Sequence, residues 1–259
     1  MQQAAFFDLD KTVIAKSSTL AFGKPLYKAG LLGRRNLMKV GIAQAFYILF
    51  GANQGTLDKT RDSMLRLTAG WHRGEIEDLV EETLEQVASP LVYAEALFLI
   101  DEHKRNGRRV FLVSASPQEI VRPIARFIGV DEVIATRVGT DHDGRFNGTL
   151  EFFAQGESKR TAINELAEAD GLDLEGSFAY SDSYTDLPMM EAVGHPVAVN
   201  PERELRKVAE ERQWPMLEFQ RQVSLRTRLA QPVPIISGAT AMAGIAGGIA
   251  LWLVKRRNA

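Results

Sequence analysis

The chain has 259 residues, 45% of them hydrophobic, which is enough for one large core or a core with a small additional domain. Its formal net charge of −2 gives no sign of nucleic-acid binding, so we expect no nucleic-acid partner. The sequence contains no cysteine, which excludes disulfides, thiolate metal sites and cysteine nucleophiles. The start, MQQAAFFDLD, lacks the basic residues and long apolar run of a signal peptide, so we expect a cytoplasmic main domain.

Short apolar runs alternate with helical patterns along most of the chain, which is typical of a parallel α/β sheet. The predicted strands are AAFFDLD, RRVFLVSAS, EVIATRV, SFAYSDS and HPVAVN. The predicted crossover helices are EIVRPIARFIG, KRTAINELAEADG and LPMMEAVG, each ending near a glycine suited to cap it. Asp143-Gly144, between two strand-like pieces, predicts a small hairpin appended to the sheet.

An almost entirely helical pattern interrupts this alternation after the first strand. It predicts a helical cap over residues 13–100, inserted into a core formed by residues 1–12 and 101–220. Basic side chains of this cap either solvate its outer face or meet an anionic surface. They are Lys24, Lys28, Arg34, Arg35 and Lys39.

The C-terminal region has a different composition. Residues 221–234 predict a basic linker, and residues 235–254 are uncharged and long enough as a helix to cross a bilayer core. Basic residues flank this stretch on both sides, and Gly244 and Gly248 form a GxxxG step that would allow close helix association and so oligomerisation. We expect a transmembrane helix that anchors a cytoplasmic domain to the inner face of the cell membrane; the alternative is a buried or loosely attached helix.

The first apolar run ends in two aspartates, Asp8 and Asp10. Ligands of open α/β sheets bind at the carboxyl ends of the strands, and strand alternation would direct both side chains the same way. Two adjacent negative charges cost free energy unless a cation separates them or one carboxyl keeps a proton. An Mg²⁺ ion, which prefers oxygen ligands, would meet this need. The alternative is a pair of solvated turn aspartates.

Polar residues also follow two later strands and begin one helix. Asp182 and Asp186 follow FAYS, where they complete an oxygen cage or cap the next helix. Ser114 follows VFLV, where a hydroxyl and free N–H groups suit a phosphate; the alternative is an ordinary helix N-cap. Lys159 begins a helix, either as a solvent-facing side chain or as a charge that neutralises carboxylates and phosphate.

In chain order, these motifs are DxDxT, a serine after a strand, a lysine, and DxxxD after a strand. The combination resembles the haloacid dehalogenase (HAD) superfamily of aspartate-nucleophile phosphatases, from residue 4 to about residue 219. The cap position resembles subfamily IB, of which phosphoserine phosphatase is the best-known member. The resemblance implies a Rossmann-like parallel sheet, an Mg²⁺ cofactor, and hydrolysis of a phosphomonoester through an aspartyl-phosphate.

The resemblance also implies a role for each motif residue near the reacting phosphorus. Asp8 would be the nucleophile, and Asp10 would act as general acid and then as general base. Thr12 would shape the loop and orient Asp10, and Ser114 would hold a phosphoryl oxygen.

The same resemblance assigns the charged groups around the phosphate. Lys159 would balance the charge of Asp8 and the phosphate. Asp182 would bind Mg²⁺ together with Asp8 and the backbone carbonyl of Asp10. Asp186 would support the metal shell.

Three departures from the phosphoserine phosphatase pattern leave the substrate unassigned. VIAKSST lacks the glutamate that would meet a substrate amine, and Ala115 and Ser116 stand where two glycines are usual. Ser181 replaces a frequent glycine. The expected substrate is therefore phosphoserine or another small or lipid phosphate.

Two other functions are compatible with the same motifs. One is phosphoryl transfer to an acceptor other than water. The other is a membrane-tethered regulatory protein with little turnover, which the complete set of catalytic residues argues against.

Overall fold

The computed structural model describes residues 2–33 and 62–222 of the chain. The strands are β1 (Ala4–Asp8), β2 (Arg109–Pro117), β3 (Glu132–Thr140), β4 (Phe146–Phe152), β5 (Phe178–Ser181), β6 (His195–Val199) and β7 (Met216–Leu217). The helices are α1 (Ser18–Ala21), α2 (Gly23–Lys28), α3 (Arg73–Val87), α4 (Ala94–Arg105), α5 (Gln118–Ile128), α6 (Glu157–Asp170), α7 (Leu187–Glu191) and α8 (Arg203–Glu211). Residues 62–68 are also helical, and 3-10 turns cover Ser89–Leu91 and Tyr184–Asp186.

The seven strands form one sheet in the order β4-β3-β2-β1-β5-β6-β7. Every neighbouring pair is parallel except β3 and β4, which confirms the predicted α/β class. All five residues of β1 are buried, as expected for a central strand covered on both faces. Since β1 lies between β2 and β5, the residues at the carboxyl ends of these three strands meet at one edge of the sheet.

Each face of the sheet packs into its own hydrophobic cluster, and β1 contributes to both because its side chains alternate. Phe6 stacks on Phe111 with ring centroids 5.1 Å apart, and Phe7 stacks on Tyr180 at 4.3 Å on the other face. Helix α4 crosses the boundary predicted at residue 100 between cap and core, and it packs on β1 and β2. The central strand is therefore held rigidly, and so is the position of its last residue, Asp8.

The turns and helix ends agree with most of the predicted ones. β3 and β4 form the antiparallel hairpin predicted at Asp143-Gly144. Gly129 and Gly171 end α5 and α6 in the left-handed conformation expected of a glycine cap. The predicted cap at Gly194 is wrong, because α7 ends at Glu191 and the segment around Gly194 instead packs closely against the backbone of Glu175.

The inserted helical segment is joined to the hairpin by main-chain hydrogen bonds. The Gly70 N–H donates to the Phe146 carbonyl at 2.8 Å, and the Phe146 N–H donates to the Trp71 carbonyl at 2.9 Å. The Arg73 N–H donates to the Gly144 carbonyl at 3.0 Å. We call residues 70–73 and 144–146 the cap–hairpin junction. Beside this junction α3 packs along α5, so the insertion lies against the core next to the β2 end.

The predicted C-terminal hydrophobic helix, residues 235–254, lies outside the described residues, as do nearly all of the basic linker and the cap residues Arg34, Arg35 and Lys39. Within residues 2–33 and 62–222, no helix combines the length and apolar character that a membrane span requires.

Candidate active site

The candidate site lies at the edge of the sheet where β1, β2 and β5 end. Asp8 is the last residue of β1, Ser114 lies near the end of β2, and Asp182 directly follows β5. The structure thus brings together the motifs that are far apart in the sequence. The buried polar side chains of the site are Asp8, Thr12, Ser114, Lys159, Asp182 and Asp186.

Lys159 is fully buried and forms the central ion pairs of the site. Its Nζ lies 2.8 Å from Asp8 Oδ1 and 2.7 Å from Asp186 Oδ1. Burial alone would lower the pKa of Lys159, but the charges of Asp186 and Asp8 outweigh it and raise the pKa above its ordinary value. The lysine therefore stays charged between the two carboxylates, which rules out its reading as a solvent-facing side chain.

The carboxylates of the site exceed the cations that neutralise them. Burial raises the pKa of Asp8 well above its ordinary value; Lys159 opposes this, and the charges of Asp186, Asp182 and Asp10 add to it. Burial also raises the pKa of Asp182 to about 7, although Lys11, with its Nζ 4.0 Å from Asp182 Oδ2, acts in the opposite direction. Such an excess of buried negative charge favours a bound cation.

The two carboxylates of the first motif have separate partners. β1 ends at Asp8, and the chain then turns through Lys11, whose φ is 61°, so strand alternation does not extend to Asp10. Asp10 Oδ1 accepts a hydrogen bond from the Ser18 N–H at 2.8 Å, and Asp10 Oδ2 accepts one from Ser116 Oγ at 3.4 Å. Burial raises the pKa of Asp10, while its hydrogen bonds from Ser18 oppose the rise.

The hydroxyl groups of the first two motifs line the space between these carboxylates. Thr12 Oγ1 donates a long hydrogen bond of 3.5 Å to Asp182 Oδ1. Ser114 Oγ accepts from the Ser116 N–H at 3.1 Å and keeps its own proton for another acceptor. Sequence reasoning missed the contact between Ser116 and Asp10. The available signal was a hydroxyl at a position where the related pattern has glycine.

The donor set fits an Mg²⁺ ion that takes few protein carboxylates. Asp186 is engaged by Lys159 and by Ser181 Oγ, which donates to Asp186 Oδ2 at 2.7 Å. The side chains of Asp8 and Asp182 remain as carboxylate ligands. Across the described ranges, no three His, Cys, Asp or Glu side chains converge as a metal cluster. Two carboxylates supplemented by a main-chain carbonyl, water and phosphate oxygens are a usual environment for Mg²⁺.

Comparison with known proteins agrees with this fold. The chain matches the haloacid dehalogenase-like hydrolase family over residues 5–191. It is 49% identical over 257 residues to the probable phosphatase Rv3661 of Mycobacterium tuberculosis, covering 98% of this chain and 89% of that protein. It is 34% identical over 258 residues to phosphoserine phosphatase SerB1 of the same species, covering 98% and 81%.

A solved structure shows the same architecture. A protein of unknown function from Bordetella pertussis Tohama I superposes with a TM-score of 0.74 at 29% identity, covering 84% of this chain and 98% of that one. The fold and the matches define the class of this protein as a hydrolase built on a mostly parallel α/β sheet. The chain belongs to the haloacid dehalogenase-like hydrolase family, as its motifs predict.

Proposed function

We propose that the protein is an Mg²⁺-dependent phosphomonoester phosphatase that uses Asp8 as its nucleophile. The observation that carries this proposal is the buried ion pair of 2.8 Å between Asp8 and Lys159 at the end of the central strand. The pair leaves one carboxylate oxygen of Asp8 free of the lysine. The names of relatives, which include phosphatases at 49% and 34% identity, support the same reaction class.

The reaction takes place in two steps with one proton shuttle. In the first step, a carboxylate oxygen of Asp8 bonds to phosphorus, the bond to the ester oxygen breaks, and Asp10 gives its proton to the leaving alcohol. In the second step, Asp10 takes a proton from water, which attacks the aspartyl-phosphate and releases phosphate, restoring Asp8. Of the two aspartates Asp8 and Asp10, only Asp8 forms an ion pair with Lys159. This difference fits one aspartate acting as nucleophile and the other as proton carrier.

The remaining site residues stabilise charge on the phosphoryl group. Ser114 Oγ donates to a phosphoryl oxygen, and the Lys159 ammonium offsets its negative charge. Asp8, Asp182 and the backbone carbonyl of Asp10 would hold Mg²⁺, with Asp186 supporting them by fixing Lys159. When bound, the ion supplies positive charge next to the transferred phosphoryl oxygens.

The substrate proposed is a small or lipid phosphomonoester. The name of the SerB1 relative makes phosphoserine a first compound to test. The stretch VIAKSST contains no acidic residue that would bind a substrate amine, which favours a substrate without an amine near this stretch. A panel should therefore include sugar, amino-acid, nucleotide and lipid phosphates.

The proposed anchor is residues 235–254, an uncharged stretch with basic residues on both sides. It would hold a cytoplasmic catalytic domain at the inner face of the membrane, and Gly244 and Gly248 would allow close helix pairing. Deletion of residues 231–259 is expected to move the protein from the membrane fraction to the soluble fraction while turnover of small substrates persists. Full-length protein in the soluble fraction would contradict the anchor.

The catalytic proposal is tested with p-nitrophenyl phosphate in Mg²⁺. Asp8→Asn keeps the size of the side chain but removes the nucleophile, so we expect a loss of at least about a hundredfold in kcat. Asp143→Asn, which changes an exposed acid in the hairpin, serves as the matched control and should retain activity. Mass spectrometry of quenched wild-type protein should locate a phosphoryl group on Asp8. Full activity of Asp8→Asn would overturn the proposal.

A further inference from the structure

Asp10 is held by groups from two separate segments of the chain. The N–H of Ser18, the first residue of α1, fixes Asp10 Oδ1 at 2.8 Å. Ser116, near the end of β2, reaches Asp10 Oδ2 with its hydroxyl at 3.4 Å. Since both oxygens accept hydrogen bonds, rotation of the carboxylate breaks at least one of them.

The Ser116 hydroxyl is itself oriented by its neighbours. Ser18 Oγ donates to Ser116 Oγ at 2.8 Å, and Thr19 Oγ1 lies 3.1 Å from the same atom. A hydroxyl has two acceptor lone pairs and one proton. When Ser18 and Thr19 fill the acceptor positions, the single proton of Ser116 is left for Asp10 Oδ2.

Ser116 is mostly buried, so water replaces this hydroxyl poorly if it is removed. An alanine at position 116 would remove the hydrogen bond between the Ser18 and Ser116 hydroxyls and the hydrogen bond that Ser116 donates to Asp10 Oδ2. The side chain of Asp10 would then sample other rotamers, while Asp8 and Lys159 keep their ion pair.

We propose that Ser116 is a positioning residue that holds Asp10 in the orientation from which it protonates the leaving group. This inference rests on the proposed phosphatase function, in which Asp10 is the general acid. It gives a role to a serine that stands where the related phosphoserine phosphatase pattern has glycine. It also makes the cluster of Ser18, Thr19 and Ser116 part of the catalytic apparatus rather than a local packing feature.

The test compares aryl phosphates that differ in the acidity of the phenol released. p-Nitrophenol leaves readily as an anion, whereas phenol and p-methoxyphenol need a proton from a general acid. For Ser116→Ala, the loss in kcat/KM should be about tenfold greater with phenyl phosphate than with p-nitrophenyl phosphate. Ser17→Ala is the matched control, because it removes a neighbouring hydroxyl that makes no side-chain cap on α1. It should lose no more than about twofold on either ester.

A second measurement separates positioning from a structural role. In an Asp10→Asn background there is no general acid to position, so Ser116→Ala should change kcat/KM for phenyl phosphate by less than about twofold. A loss of the same factor on every ester, or a full loss in the Asp10→Asn background, would overturn the role of Ser116. If the wild type hydrolyses none of the esters, the phosphatase proposal fails and this inference fails with it. Hydrolysis that is lost in Asp8→Asn but unaffected by Ser116→Ala would reject Ser116 alone.

Discussion

The ammonium group of Lys159 lies 2.8 Å from Asp8 Oδ1, although 151 positions separate the two residues in the chain. Both side chains are buried, and the same ammonium group contacts Asp186 at 2.7 Å. The nucleophile proposed for catalysis therefore also forms one of the buried ion pairs within the fold. A change at either end of this contact should alter both activity and stability.

Lys159→Met should lower the free energy of unfolding by about 3–5 kcal/mol at pH 7, because it leaves Asp8 and Asp186 buried without their counter-charge. It should also reduce kcat by at least about a hundredfold. Urea unfolding and p-nitrophenyl phosphate turnover provide the two measurements. Arg160→Met is the control: it removes a more exposed pair with Glu191, which should cost about 1 kcal/mol or less. Equal effects of the two variants would contradict the role of Lys159.

Removal of Mg²⁺ should lower the thermal midpoint of the wild type, because a ligand that binds only the folded protein stabilises it. Asp182→Asn removes one of the two available carboxylate ligands, so its midpoint should respond much less to Mg²⁺. Calorimetry with and without a chelator checks this without reference to activity. Asp143→Asn, far from the site, should keep the wild-type response. An undiminished Mg²⁺ response in Asp182→Asn would place the ion elsewhere.

The ion pair between Arg73 and Glu119 should stabilise the packing of α3 on α5. Arg73 Nε lies 3.2 Å from Glu119 Oε1, and the carboxylate is buried, which raises the pKa of Glu119. Arg73→Ala should cost about 2–3 kcal/mol, and adding Glu119→Gln should recover part of this by removing the unpaired charge. Denaturant unfolding of the single and double variants measures both effects.

Arg126→Ala provides the comparison for that cycle. Arg126 pairs with Glu81 between the same two helices, but both side chains are largely exposed. Its loss should cost about 1 kcal/mol or less. If Arg126→Ala is as damaging as Arg73→Ala, burial of Glu119 does not determine the strength of the contact.

Burial of His103 should make a contribution to stability that decreases in mild acid, opposite in sign to the contribution of Asp182, whose pKa is raised. Burial, and secondarily Arg108, lower the pKa of His103 to about 3 from its ordinary value of 6.5. Below pH 6.5 the unfolded chain therefore binds a proton that the folded protein does not. The contribution of His103 to the free energy of unfolding is lost toward pH 3, with a slope of up to about 1.4 kcal/mol per pH unit.

His103→Gln keeps a hydrogen-bonding group near Tyr180, whose hydroxyl lies 2.8 Å from His103 Nε2, but cannot take up this proton. Between pH 7 and pH 5.5, the change in the free energy of unfolding measured in urea should be less unfavourable for this variant than for the wild type. His142→Gln, at an exposed position, should behave like the wild type. An unchanged pH response in His103→Gln would exclude His103 as the source.

The sheet and the strand-end residues of the site were predictable, because apolar runs and the polar residues that end them are local signals. Asp8, Ser114 and Asp182 each follow such a run, and parallel pairing brings their strands to one edge. β7 has only two residues and therefore no periodicity to detect. The partners of Lys159 and of Asp10 depend on how distant segments pack. No local pattern determines that Lys159 points inward or that Ser116 contacts Asp10.

The cap–hairpin junction consists of amide and carbonyl groups, which every residue except proline supplies in full. Exchange of the side chains at positions 71–73 therefore leaves this attachment largely in place, whereas Gly70, with a φ of 84°, favours glycine. The side chains of the inserted segment can therefore change while its attachment to the hairpin persists. In the proposed phosphatase, such an arrangement would let point mutations in the insertion change which phosphomonoester is accepted without loosening its attachment to the sheet.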